Sequence, residues 1–198
     1  MSLSAALLGL MMVGPGPTVE SVTLVDAARS RPIPVVLYRP TAAPGGSPRP
    51  VAILSHGFGL RNTDYSFIAL HLAERGFLVA SVQHEIEGDE PLPGVGKPSE
   101  VRRPSWRRGA SNILFALSEL AARYPDFLWS RPVLIGHSHG GDTAMLFATQ
   151  HPDLVASVIS LDHRRMPVPR VTKPRILTLR SSDQVADEGV LPSAEEQE

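Results

Sequence analysis

The 198-residue chain predicts an α/β fold with a mostly parallel sheet flanked by helices. Three observations carry that expectation. Short apolar and β-branched runs alternate with amphipathic stretches along the chain. Two of the runs, VAILS at Val51–Ser55 and FLVASV at 77–82, are almost continuously apolar, as strands buried on both faces are. The segment VLIGHSHGGDTAM, 133–145, sets an apolar strand directly before a glycine-flanked serine and a helix directly after it.

The elements follow in order. Residues 19–27 and 33–38 read as two opening strands, antiparallel and near an edge, because Pro32 and Pro34 suit an edge or a strand start. Val51–Ser55 is the third strand. Residues 64–75 form a helix, with Tyr65, Ile68, Ala69 and Leu72 on one face and Gly76 closing it. Residues 77–82 are the fourth strand, and 83–103 a long polar segment. Residues 105–124 form a strong helix whose stripe is Ala110, Ile113, Leu114, Leu117, Leu120 and Ala121. A strand at 133–136, a helix at 140–150, a strand at 155–161 and a last strand at Arg175–Leu179 complete the series. In sheets of this kind function collects at the C-terminal ends of the strands.

Composition limits the function classes. A hydrophobic fraction of 42% supports a buried core, and a net charge of −1 gives no general attraction to nucleic acid. There is no cysteine, which removes disulfides, thiolate metal sites and a cysteine nucleophile. The apolar run at 5–13 is too short to span a bilayer. It lacks the basic start of a signal peptide, so residues 1–18 are expected to be a flexible arm or weak signal-like segment, with a cytoplasmic location favoured over export. Residues 19–198 are read as one domain.

Gly136-His137-Ser138-His139-Gly140 fits G-x-S-x-G. Between a strand and a helix this pattern is a nucleophile elbow, a strained turn with Ser138 at its apex. The glycines are needed where a Cβ would collide with neighbouring backbone. The helix N-terminus favours developing negative charge near the serine. Ser55-His56-Gly57-Phe58-Gly59 ends the third strand. Acyl transfer needs donors aimed at a tetrahedral oxyanion, and the amides of Phe58 and His139 are the candidates.

On these residues the chain resembles the α/β-hydrolase fold. The segments LSHGFGLRNTDYSFIALHLAERGFLVASVQHE and IGHSHGG are similar to the branch holding platelet-activating-factor acetylhydrolases and dienelactone-hydrolase-like proteins. The likeness runs from about residue 50 to residue 167 and includes SLDHRRMP after the sixth strand. It implies a cofactor-free serine esterase acting on small-molecule, short-chain esters or related lipids and lactones.

Two acids compete for the role of orienting a histidine. The acetylhydrolase pattern points to Asp162, at the end of the sixth strand. The general hydrolase order points to Asp183, beyond the seventh, and this is the preferred choice. Asp187 ranks third. The same order asks for a histidine after the acid, yet none follows Asp183. His163 alone follows Asp162, and as its sequence neighbour it is a poor base. The expectation is a C-terminally truncated domain lacking the last strand and helix, with the catalytic histidine outside the chain. PSAEEQE reads as a helix start with Ser193 as N-cap. An exposed edge would then favour self-association.

His56, His84, His137, His139 and His163 all fall near C-terminal strand ends, but their spacing is not that of a metal site, and none is expected. His71 and His151 read as ordinary helix residues. The acidic run Glu85, Glu87, Asp89, Glu90 and the basic run Arg102, Arg103, Arg107, Arg108 suggest a loop folded against a helix start. The functional expectation is a serine hydrolase with Ser138 as nucleophile. The alternative is a non-catalytic hydrolase-like protein that binds an acyl ligand, or an inactive fragment.

Overall fold

The structure, a computed structural model, describes residues 16–41 and 48–197. The apolar run at 5–13 lies outside them. Among the described residues seven strands form one sheet: β1 (Thr18–Asp26), β2 (Arg31–Arg39), β3 (Val51–Ser55), β4 (Leu78–Val82), β5 (Val133–His137), β6 (Ser157–Leu161) and β7 (Arg175–Leu179). Their spatial order is β1-β2-β4-β3-β5-β6-β7. β1, β2 and β4 pair antiparallel in sequence, and β4, β3, β5, β6 and β7 run parallel.

Pro32 and Pro34 lie at the start of a strand near the edge, as expected. β1 is the edge, and β2 lies inside it. Only Val35–Tyr38 of β2 pairs with β4, while Pro32 and Pro34 sit in the part that pairs with β1 alone. The missing proline N–H groups therefore interrupt only one side of the ladder.

Among the described residues four α-helices connect and cover the sheet: α1 (Ser66–Glu74), α2 (Pro98–Val101), α3 (Arg103–Arg123) and α4 (His139–Gln150). α2 lies within the stretch read as a polar loop; Pro98 at its first position is a favoured helix start. The main core lies between the sheet and α3–α4, where Trp106, Ile113, Leu120, Met145 and Phe147 are fully buried. Each such side chain contributes roughly 1.5–3 kcal/mol of apolar burial. Leu114, expected on the α3 stripe, is 40% exposed, and Trp106, one turn ahead of Ala110, is buried instead. A second cluster on the other face joins Tyr38, Leu54, Val79 and Ile135 to Ala69 and Ala73 of α1. Ser193 and Glu196 cap one another reciprocally, Glu196 N–H to Ser193 Oγ and Ser193 N–H to Glu196 Oε2.

The chain leaves β3 toward β4, then crosses back to β5 on the other side of β3. The loops after β3 and β5 thus emerge side by side where the winding reverses, the crevice in which open α/β sheets hold ligands.

Candidate active site

Ser138 links β5 to α4 with φ 48° and ψ −113°, a left-handed conformation that a serine adopts only at a cost of about 1–3 kcal/mol. Two backbone bonds hold it there. Its N–H donates to Leu161 O at 2.8 Å, and its carbonyl accepts from Asp142 N–H at 2.9 Å. The flanking glycines are a steric necessity. A Cβ on Gly136 would stand 2.3 Å from Gly140 O, and one on Gly140 would stand 2.3 Å from Ser55 O. The elbow is thereby pressed against the end of β3, and Ser138 itself is half-buried.

The loop after β3 is gripped from several sides. Leu60 N–H closes a turn onto Gly57 O at 3.1 Å, and Gly59, at φ 72°, donates its N–H to Glu85 Oε2 at 2.9 Å. A Cβ on Gly57 would stand 2.8 Å from His137 Nδ1, so the loop packs onto the elbow. Phe58 lies between these anchors, 51% exposed, and its ring meets the His139 ring edge-on at 6.0 Å. The N–H groups of Phe58 and His139 have no acceptor in the hydrogen-bond network of the described residues. Both candidate oxyanion donors are therefore uncommitted.

The histidines near the cleft are bound into the scaffold. His56 Nδ1–H donates to its neighbour Gly57 O at 2.8 Å, and Nε2 accepts from His84 N–H at 3.0 Å, which fixes the tautomer. His84 Nε2 meets Ser55 Oγ at 2.9 Å. His139 Nδ1 accepts from the Trp106 indole at 3.1 Å, and its Nε2 faces Ser105 Oγ at 3.1 Å. His137 Nδ1 meets the Tyr65 hydroxyl at 2.6 Å. His163 is fully buried, with Nδ1 at 2.6 Å from Ser160 Oγ. Burial lowers all five below the ordinary histidine value. His139 falls to about 3, with Arg102 adding to burial, and His163 to about 4, with Arg180 adding to it. Among the described residues no histidine hydrogen-bonds Ser138 Oγ. No three acidic or histidine side chains there converge as metal ligands.

The two acids occupy different settings. Asp162 follows β6 directly, beside Ser138, at φ 55°. Its N–H donates to Leu179 O at 2.8 Å, Ser181 N–H reaches its Oδ1 at 3.3 Å, and Arg180 Nη2 stands 3.8 Å away. Asp183 lies on an exposed part of the loop after β7, with no hydrogen bond or ion pair among the described residues. Asp187 is also exposed and uses its N–H on Arg164 O.

Several contributors escaped the sequence reading. Glu85 belongs to the acidic run expected to fold against a helix start, and it holds Gly59. Asp142, 1% exposed in the first turn of α4, accepts the amides of Arg165 and Met166, both at 2.9 Å. Of the two charge runs only Asp89 and Arg108 pair across, at 3.4 Å, while Asp89 also binds Arg31 at 2.6 Å. Gly-Asp after an elbow was the one sequence signal for Asp142; Glu85 had none beyond its position after β4.

A family model described as Chlorophyllase matches residues 15–186. Chlorophyllase-2 of Arabidopsis thaliana is 30% identical over 100 residues, covering 50% of this chain and 29% of that protein. Platelet-activating factor acetylhydrolase of Bos taurus is 27% identical over 103 residues, covering 48% of this chain and 23% of that protein. The matched region thus spans less than a third of either relative. Among solved structures, a ferulic acid esterase from Streptomyces cinnamoneus superposes with a TM-score of 0.68 at 22% identity, over 83% of this chain and 65% of that one. A dienelactone hydrolase from Anabaena variabilis gives a TM-score of 0.56 at 19% identity, over 74% and 63%. These likenesses show an α/β-hydrolase fold.

Proposed function

Because this chain belongs to the chlorophyllase family, we propose that it carries the nucleophile and oxyanion hole of a serine esterase acting on small-molecule carboxylic esters. The observation that carries this reading is the strained Ser138, followed by one uncommitted amide and with a second on the loop that packs onto the elbow. In the proposed reaction Ser138 Oγ attacks the ester carbonyl and gives up its proton to a base. The Phe58 and His139 N–H groups hold the negative oxygen of the tetrahedral intermediate. The intermediate collapses to an acyl-serine as the alcohol leaves with a proton, and water then releases the acid.

Asp162 is the better choice of acid. Its position at the end of β6, its restrained backbone and its neighbouring Ser138 support that role, whereas Asp183 is exposed and unheld. The base is a separate matter. Each of the rings of His56, His84, His137, His139 and His163 has a nitrogen bound to the scaffold, and among the described residues none hydrogen-bonds Ser138 Oγ, which supports a base from outside this constellation. That observation also favours a second reading, in which this chain binds an acyl ligand without turnover.

The test is hydrolysis of p-nitrophenyl acetate, butyrate and octanoate by the chain beside Ser138→Ala. The esterase reading expects Ser138-dependent release that is slow alone. A missing general base costs roughly 10²–10⁴-fold in rate. Release that is the same in both proteins would sink it.

A further inference from the structure

The loop after β4 grips the loop after β3. Gln83 Oε1 accepts Asn62 N–H at 2.8 Å, and Gln83 Nε2 donates to Leu60 O at 3.2 Å. The same Nε2 reaches Glu85 O at 3.1 Å, which ties Glu85 into the grip. Glu85 Oε2 then accepts Gly59 N–H at 2.9 Å. Leu60 N–H is already closed onto Gly57 O, so the chain is fixed on both sides of Phe58. Arg102 covers the Phe58 ring, with Cζ 5.9 Å from the centroid.

The other oxygen of the same carboxylate reaches the elbow. Glu85 Oε1 is 3.9 Å from His139 Nε2, and among the described residues it is buried without a hydrogen-bond partner. The tautomer of His139 makes this approach favourable. An indole N–H can only donate, so Nδ1 is the acceptor of the Trp106 bond, and the hydrogen of the neutral ring sits on Nε2. Nε2–H thus faces Ser105 Oγ at 3.1 Å and the carboxylate at 3.9 Å. At that second distance the contact is electrostatic and not a hydrogen bond. The His139 side chain is 2% exposed and that of Glu85 18%, so water screens the attraction little.

We infer that Glu85 is the positioning residue of the proposed oxyanion hole: its two oxygens tie Gly59, next to Phe58, to the ring of His139 and so set the spacing of the two amide donors. The consequence for rate rests on the esterase reading, and the clamp rests on the contacts of Glu85 alone. A carboxylate suits the task because it offers an acceptor to each side. A carboxamide has a single acceptor oxygen, so Glu85→Gln can serve Gly59 or His139 but not both.

The test has two readouts on the full chain. One is the rate at which an alkyl fluorophosphonate labels Ser138 with imidazole present. In that step Ser138 Oγ displaces fluoride from phosphorus, imidazole takes the proton, and the phosphoryl oxygen needs the same two donors. The other is the ¹H–¹⁵N spectrum of the Gly59 amide and the His139 ring. Glu85→Gln is expected to label about tenfold more slowly and Glu85→Ala about a hundredfold, since a misplacement of about 1 Å costs about 10² in rate. Glu87→Gln, at an exposed neighbour, should label at the unaltered rate. In Glu85→Ala the Gly59 and His139 signals should both move. Glu85→Gln keeps the size of the side chain and carries the same two readouts should Glu85→Ala not fold. Labelling as fast in the Glu85 variants as in the unaltered chain, or Gly59 and His139 signals that stay in place, would overturn the inference. An unaltered chain that takes no label on Ser138, while both signals move on substitution, would defeat the esterase reading and leave the clamp standing.

Discussion

Ser138 and the histidines around it show how much a single residue depends on its frame. The elbow was legible because its two steric requirements both fall on glycines that flank the serine in sequence. Gly136 and Gly140 are fixed by contacts of 2.3 Å that any Cβ would make, and the sequence pattern carries that directly. The histidines were not legible in the same way. Whether a ring is free or engaged depends on partners far off in the chain, such as Trp106 for His139 and Tyr65 for His137. The same buried rings set a pH response. A histidine whose folded pKa is lowered stays neutral in the native state while the unfolded chain takes up a proton below about pH 6.5. Stability is therefore complete above that pH and is lost as pH falls, through about 4 for His163. Asp142, raised by burial, works in the opposite sense, so the comparison is made against a variant. His163→Asn should reduce the slope of unfolding free energy between pH 6 and 4.5 by about 1.4 kcal/mol per pH unit, one proton's worth. Urea titrations across that range measure it, and an unchanged slope would refute the assignment.

At the scale of elements, the alternation of apolar and amphipathic runs marked every strand and the three longer helices. It missed α2, which is only one turn, because four residues carry no period. β7 has a consequence of its own. Among the described residues it pairs with β6 on one side only, and Leu177 and Leu179 are both 52% exposed on it. A cavity of about 860 Å³ lined by Val168, Arg170, Ile176 and Leu191 opens at this end of the sheet. Apolar side chains on an unpaired strand promote edge-to-edge association. Light scattering is expected to report concentration-dependent self-association that the charged pair Leu177→Lys and Leu179→Lys reduces. A monodisperse monomer at all concentrations would contradict this.

Over the whole molecule, the winding of the sheet brings the two loops together. β3 and β5 are far apart in sequence but adjacent in the sheet, and the proposed donors Phe58 and His139 come one from each. Each loop was recognisable alone, and their meeting was expected from the fold. What holds the loops in place was not expected, because Glu85 and Arg102 belong to segments whose sequence reads as solvent-facing. The choice between the two proposed acids follows the same rule. Asp162 and Asp183 are equivalent as letters, and only the neighbouring strands separate a restrained residue from an exposed one. The central claim is that Ser138 is a nucleophile lacking a positioned base. The measurement that tests it most directly is covalent labelling of the chain by an alkyl fluorophosphonate, with and without added imidazole, read by intact mass and peptide mapping. A single adduct on Ser138, formed faster with imidazole and absent in Ser138→Ala, is the predicted result. Folded chain that stays unlabelled in both conditions, or that is labelled equally in Ser138→Ala, would contradict the account.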